Sequence, residues 1–285
     1  PLFAINHQLY VYLSSSTTNE ITTGVDEIAD HRVVRFDASG DVATGSGEVI
    51  ISLPGAGPGN HNGGAIRFGP DGKLFVSIGD LASSSNSQDP AALPGKILRY
   101  NDDGTVPSDN PFGAADPVFA MGIRNTFGLA FDADGRLFGN ENGSFNHDEV
   151  NLIEAGMNYG WPDVHGDADD MLGDPIGESN FAAARANYRD PLVDKSDGSV
   201  GAAGIAVIPD DTYGAGFTGQ ILYGEYGNRR IMRIAVNANG ERDGAAEVFA
   251  DGLPSRVQGM DFAPDGTLWL ATENAVIRLV PDNGN

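Results

Sequence analysis

No cysteine occurs among the 285 residues, so disulfides, thiolate metal sites and cysteine nucleophiles are all excluded. Any bound metal must rest on oxygen or histidine. Lysine is nearly as scarce, at three residues, and the formal net charge is -23. Such a chain is repelled by nucleic acid and by anionic membrane surfaces, and neither is expected as a partner. Hydrophobic runs are short and broken, which leaves no membrane span. The start, Pro-Leu-Phe-Ala-Ile-Asn, lacks the basic residues and apolar run of a signal peptide, as it would in a processed mature chain. Long helix-forming stretches are missing as well. What is abundant is glycine, 39 residues, with 16 prolines, the composition of many short strands and turns.

One unit recurs: an apolar strand, a turn containing Asp-Gly, then a strand rich in aliphatic and aromatic residues. It appears at Phe68–Phe75, Phe131–Phe138 and Phe262–Trp269, with a longer-turned copy over Ile205–Tyr223 and an abbreviated one at Ile5–Tyr10. Asp-Gly between apolar runs is a strong local hairpin signal, because glycine supplies the positive φ of the turn. The first two clear turns, Asp71 and Asp134, are 63 residues apart, and Asp134 to Asp265 spans 131, about two more units. Outer strands are expected at Arg32–Phe36, Lys96–Tyr100 and Arg230–Ile234. The expectation is an all-β protein, a β-propeller of four-stranded antiparallel blades with five blade signatures in one domain over 1–285. The Asp-, Gly- and Asn-rich segment from Pro162 to Asp197 reads as a surface excursion.

Propellers carry function on loops at the blade ends. His61 stands just ahead of the hairpin that closes at Asp80, and antiparallel pairing puts both at one end, as a base and its orienting carboxylate. Arg124-Asn125 precedes the next inner strand at the corresponding place, and Arg256 does so before the last one. Three polar residues at equivalent registers are expected to line one mouth of the channel. The other histidines, His7, His31, His147 and His165, show no comparable partner pattern and are taken as incidental. The stretch Glu141–Ile153, followed by Gly156–Pro162, looks like an oxygen-rich metal loop. Carboxylates at Asp148 and Glu149, with carbonyls at Gly143 and around Tyr159, suit calcium, though the Asp-x-Asp-x-Asp-Gly spacing of an EF-hand is absent.

These motifs together resemble the soluble quinoprotein glucose and sorbosone dehydrogenases, which include the aldose sugar dehydrogenases. The match runs through His61-Asn-Gly-Gly, Ile78-Gly-Asp80, Gly95-Lys-Ile-Leu-Arg99, Asp103–Pro111, Gly122-Ile-Arg-Asn125, Asp148–Ile153 and Asn158-Tyr-Gly-Trp-Pro162. It is dense from about residue 60 to 162 and thinner beyond. The resemblance implies a six-bladed propeller that binds pyrroloquinoline quinone (PQQ) over calcium and oxidises the anomeric carbon of aldoses, passing electrons to an external acceptor. It implies His61 as the base, Asp80 as its orienting partner, and Arg124 and Asn125 on the cofactor, the Arg124 cation stabilising the anionic reduced quinone. Carbonyls of Gly143 and Ser144 would hold the cofactor calcium, and Glu149 with the Tyr159 carbonyl a structural one. Arg256 would meet the cofactor carboxylates. A lysine used by the glucose dehydrogenase branch has no counterpart in Glu225–Ile231, where Arg229 is the candidate substitute. The family's first blade has no recognisable counterpart before Pro1. Family resemblance also implies a periplasmic or extracellular location.

Two other readings compete. A calcium-dependent propeller lactonase would hydrolyse a sugar lactone without PQQ. A non-catalytic propeller would bind carbohydrate or protein with neither activity.

Overall fold

The structure, a computed structural model, describes every residue except 1, 6–7, 17–27, 41, 56–59, 167–186 and 282–285. The central part of the expected excursion, 167–186, and two positions of the abbreviated first hairpin therefore lie outside the described residues.

Among the described residues nineteen strands form five antiparallel sheets, one for each hairpin repeat. The first contains β1 (Leu2–Ile5), β2 (Gln8–Ser16), β3 (Ile28–Ser39) and β4 (Val42–Pro54). The second contains β5 (Ile66–Phe68), β6 (Leu74–Ile78), β7 (Lys96–Tyr100) and β8 (Val118–Met121). The third contains β9 (Thr126–Phe131), β10 (Leu137–Glu141), β11 (Asp148–Ile153) and β12 (Val193–Lys195). The fourth contains β13 (Ala202–Val207), β14 (Ile221–Glu225), β15 (Arg230–Val236) and β16 (Arg242–Ala250). The last, β17 (Val257–Phe262), β18 (Leu268–Thr272) and β19 (Val276–Leu279), has three strands rather than four. Within each sheet neighbours in sequence are neighbours in space, the meander of a propeller blade. The fold is therefore all-β and of the β-propeller class, with five blades among the described residues.

The Asp-Gly turns form as their chemistry requires. Gly72, Gly135 and Gly266 take φ of +73°, +80° and +78°, and each donates its N–H to the residue three positions back, Gly69, Asp132 and Ala263. No neighbour crowds a Cβ placed at Gly72, so it is the left-handed backbone that selects glycine there.

The chain divides into two compact units. One holds Pro1–Thr126, Ala155–Asp163 and Ala182–Tyr188; the other holds Phe127–Glu154, Val164–Phe181 and Arg189–Asn285. In the first, Tyr10 and Val33 of the β1–β4 sheet share a core with Phe68, Leu74 and Val76 of the β5–β8 sheet. The Tyr10 and Phe68 rings meet edge to face at 4.9 Å. In the second, Phe138 and Val150 pack with Ile205 and Ile221, and Leu222 and Ile231 pack with Val257 and Leu268. No described helix is long and apolar enough to cross a membrane.

Candidate active site

In the first unit β5 and β6 pair antiparallel, Ile66 opposite Val76, and looser hydrogen bonds carry the pairing past the strand ends. The Gly64 N–H donates to the Ser77 carbonyl at 3.0 Å and the Leu81 N–H to the His61 carbonyl at 3.3 Å, which sets His61 beside Asp80. Two glycines permit this approach. A Cβ on Gly79 would lie 2.0 Å from the His61 carbonyl oxygen, and one on Gly63 would lie 2.7 Å from the Gly79 nitrogen. His61 itself has φ +55°, a strained conformation for a side-chain-bearing residue that the packed loop maintains.

His61 Nδ1 is 2.7 Å from Asp80 Oδ1. An ionised Asp80 only accepts, so Nδ1 carries the proton and the neutral ring keeps its lone pair at Nε2, as a general base needs. Asp80 is 1% exposed and also accepts from the Ala82 N–H at 2.8 Å and from Trp161 Nε1 at 2.8 Å. The expected pair is thus a chain of three, Trp161, Asp80 and His61. Arg124 and Asn125 join the same corner. The Arg124 carbonyl accepts from the Asp80 N–H at 2.8 Å, and Asn125 Oδ1 accepts from the Gly63 N–H at 3.0 Å. The Arg124 guanidinium lies 5.2 Å from the centre of the Trp161 ring. The first sheet supports the loop from behind, where the Tyr12 hydroxyl donates to the Asn62 carbonyl at 3.1 Å.

Beneath this corner Lys96 is buried on β7, where sequence suggested only an outer strand. Its ammonium donates to the carbonyls of Asn86, Ser87 and Pro94 at 2.7, 3.1 and 3.2 Å, and burial pushes its pKa down to about 8. Asn86 in turn donates its side-chain amide to the Asp80 carbonyl at 3.1 Å. Tyr159 is buried in the first unit, its N–H donating to the Met121 carbonyl at 2.9 Å.

In the second unit residues 142–147 connect β10 to β11. Gly143 donates its N–H to Asp148 Oδ1 at 2.9 Å, and a Cβ on it would lie 1.9 Å from the Asn146 carbonyl oxygen; Ser144 follows on the same loop. Asp148 was expected to offer its carboxylate to a metal. Instead both its oxygens are occupied, by the N–H groups of Gly143, Val200, Gly201 and Ala202 and the Ser199 hydroxyl. Glu149 differs. It is buried, accepts from Asn151 Nδ2 and the Gly166 N–H, both at 2.9 Å, and burial with the nearby Asp194 and Asp148 charges raises its pKa to about 7. A cation would relieve that cost, so the position fits calcium. Among the described residues no group of three or more His, Asp or Glu gathers as a metal cage, so carbonyls would supply most ligands. His147, taken as incidental, is paired: its Nδ1 lies 2.8 Å from Asp194 Oδ1, a partner 47 residues away.

The same unit contains a cavity of about 360 Å³ lined by Phe127, Asn142, Gly201, Ala203, Tyr226 and Gln258. Asn142 adjoins the Gly143–Ser144 carbonyls. Arg256 reaches the Tyr226 ring at 5.1 Å and Glu273 at 3.5 Å, and the Tyr226 hydroxyl donates to Glu273. Arg229 lies on the turn that Tyr226 opens, exposed and with φ +52°. Small residues, two aromatic rings, two amides and two nearby cations suit a flat, anionic, aromatic ligand such as PQQ, in a chain otherwise strongly acidic.

The chain is 31% identical over 289 residues to the uncharacterized protein slr1608 of Synechocystis, covering 96% of this chain and 66% of that one. It is 32% identical over 199 residues to quinoprotein glucose dehydrogenase B of Acinetobacter calcoaceticus, covering 61% of this chain and 40% of that protein. The PQQ-bound aldose sugar dehydrogenase of Streptomyces coelicolor superposes with a TM-score of 0.75 at 29% identity, covering 94% of this chain and 70% of that one. The chain thus spans less than two thirds of the length of the two curated relatives. A glucose / sorbosone dehydrogenase family model matches residues 1–280, and the chain belongs to that family.

Proposed function

We propose that this protein oxidises the anomeric hydroxyl of aldose sugars to the lactone, with PQQ as cofactor, calcium as its metal and an external electron acceptor. The observation that carries the reading is the His61–Asp80 pair, 2.7 Å apart on a glycine-built corner, with Nε2 left as the basic nitrogen. His61 Nε2 takes the proton of the sugar hydroxyl, and Asp80 fixes the tautomer and stabilises the imidazolium that results. Arg124 supplies positive charge at the site, held against Trp161. Arg256 and Arg229 would meet the cofactor carboxylates at the cavity of the second unit. The Gly143 and Ser144 carbonyls would hold its calcium, and Glu149 a structural one. When bound, the quinone supplies the two-electron acceptor for the hydride leaving the anomeric carbon.

Reconstitution with PQQ and calcium, followed by dye reduction with a panel of aldoses, tests the reading. Turnover that requires both additions is expected. Absence of PQQ binding together with absence of turnover overturns it, and lactone hydrolysis without PQQ would establish the lactonase instead.

A further inference from the structure

We propose that Trp161 is a positioning residue for the His61 base, acting through its indole N–H on Asp80; the inference rests on the dehydrogenase reading. Asp80 Oδ1 is fixed by His61 Nδ1 at 2.7 Å and the Ala82 N–H at 2.8 Å. The hydrogen bond shown at Oδ2 comes from Trp161 Nε1, at 2.8 Å. A carboxylate gripped at one oxygen alone can swing about its Cβ–Cγ bond. Gripped at both it presents one lone-pair direction to the imidazole.

The backbone that carries the indole is itself clamped. The Trp161 backbone N–H donates to the Gly122 carbonyl at 3.1 Å, and the Trp161 backbone carbonyl accepts from Gln88 Nε2 at 2.7 Å. Gln88 also exchanges hydrogen bonds with the Asn158 side chain, at 2.7 and 3.0 Å. Gly122 tolerates no side chain there, since a Cβ would lie 2.1 Å from Asn158 Oδ1. The same indole face carries the Arg124 guanidinium at 5.2 Å. One ring therefore holds the base's carboxylate by its edge and the site's cation by its face. A bystander aromatic would supply packing alone, and its N–H would be dispensable.

The test removes the N–H and keeps the ring. Trp161 is replaced by the isosteric β-(3-benzothienyl)alanine, and W161F is made in parallel. In the cofactor-free protein, ¹⁵N spectra should show two indole N–H signals, one for each tryptophan. D80N should shift the Trp161 signal and leave Trp269 unmoved. The His61 Nδ1–H resonance should move and exchange faster in the benzothienyl variant. In the reconstituted enzyme kcat should fall about tenfold, with KM and PQQ affinity within about twofold, the loss of one hydrogen bond to a charged group. An unchanged Nδ1–H resonance in the benzothienyl variant overturns the proposal, as does an unchanged kcat. The spectra need no cofactor, so they decide it even if the reconstituted protein proves inactive, an outcome that would overturn the dehydrogenase reading alone.

Discussion

The two regions that carry the proposed functional residues are built differently. The base corner in the first unit is closed by backbone contact and side-chain hydrogen bonds: Gly79 against His61, three donors on Asp80, three carbonyls on Lys96. The cavity in the second unit is lined by small and aromatic residues, with its cations outside on exposed side chains such as Arg256, 49% accessible. A proton-transfer group must be aimed to within a fraction of an ångström before substrate arrives, so its supports are rigid. A large anionic cofactor needs space and charge, and supplies much of the remaining order itself when it binds. Substitutions in the corner should therefore damage folding and chemistry together, whereas those at the cavity rim should weaken cofactor binding alone.

The largest contrast is expected at Gly79. Its added Cβ would lie 2.0 Å from the His61 carbonyl oxygen, so Gly79→Ala must push the two loops apart. We expect a stability loss on the order of 3 kcal/mol, the top of the usual range for overpacking because backbone is struck, and turnover lowered at least a hundredfold. Thermal melts and dye reduction read both, and a silent substitution would break the comparison.

Lys96 sharpens the corner through pH. Its pKa is lowered from 10.5 to about 8 by burial, so between pH 8 and 10.5 the unfolded chain holds more protons than the folded one. Folded stability relative to Lys96→Met should then rise with pH across that window, by at most about 1.4 kcal/mol per pH unit. Denaturant melts of both proteins at pH 8 and pH 10 measure it. A difference that falls with pH would mean that the carbonyl cage holds the charge more strongly than burial opposes it.

The smallest effect belongs to the rim. Arg256→Ala should weaken PQQ binding about tenfold with no change in melting temperature beyond two degrees or so, because its salt bridge is exposed. Calorimetric titration with PQQ and calcium measures the first and a thermal scan the second. A stability loss equal to that at Gly79 would erase the distinction between the regions.

How much of this was legible in sequence follows from the range of each interaction. The five hairpins are local, three of them set by Asp-Gly turns between apolar runs, and all five appear as sheets. The His61–Asp80 pair lies within one hairpin, 19 residues apart, so antiparallel pairing alone could place it. Trp161 on Asp80 spans 81 residues and Asp194 on His147 spans 47, and each depends on loop packing that no local pattern encodes. The motif Asn158-Tyr-Gly-Trp-Pro162 marked its segment without revealing the indole's target. Asp148 looked like a metal carboxylate by residue type. Its five donors come mainly from residues 199–202, which only the fold brings near. That the last sheet has three strands among the described residues follows no motif either.

Whether His61 is the catalytic base is decided by His61→Ala in protein reconstituted with PQQ and calcium. Aldose-dependent dye reduction should fall about a thousandfold, the range of a lost general base, with PQQ affinity within a few-fold of the parent. Turnover retained at the parent rate with cofactor still bound would contradict that role.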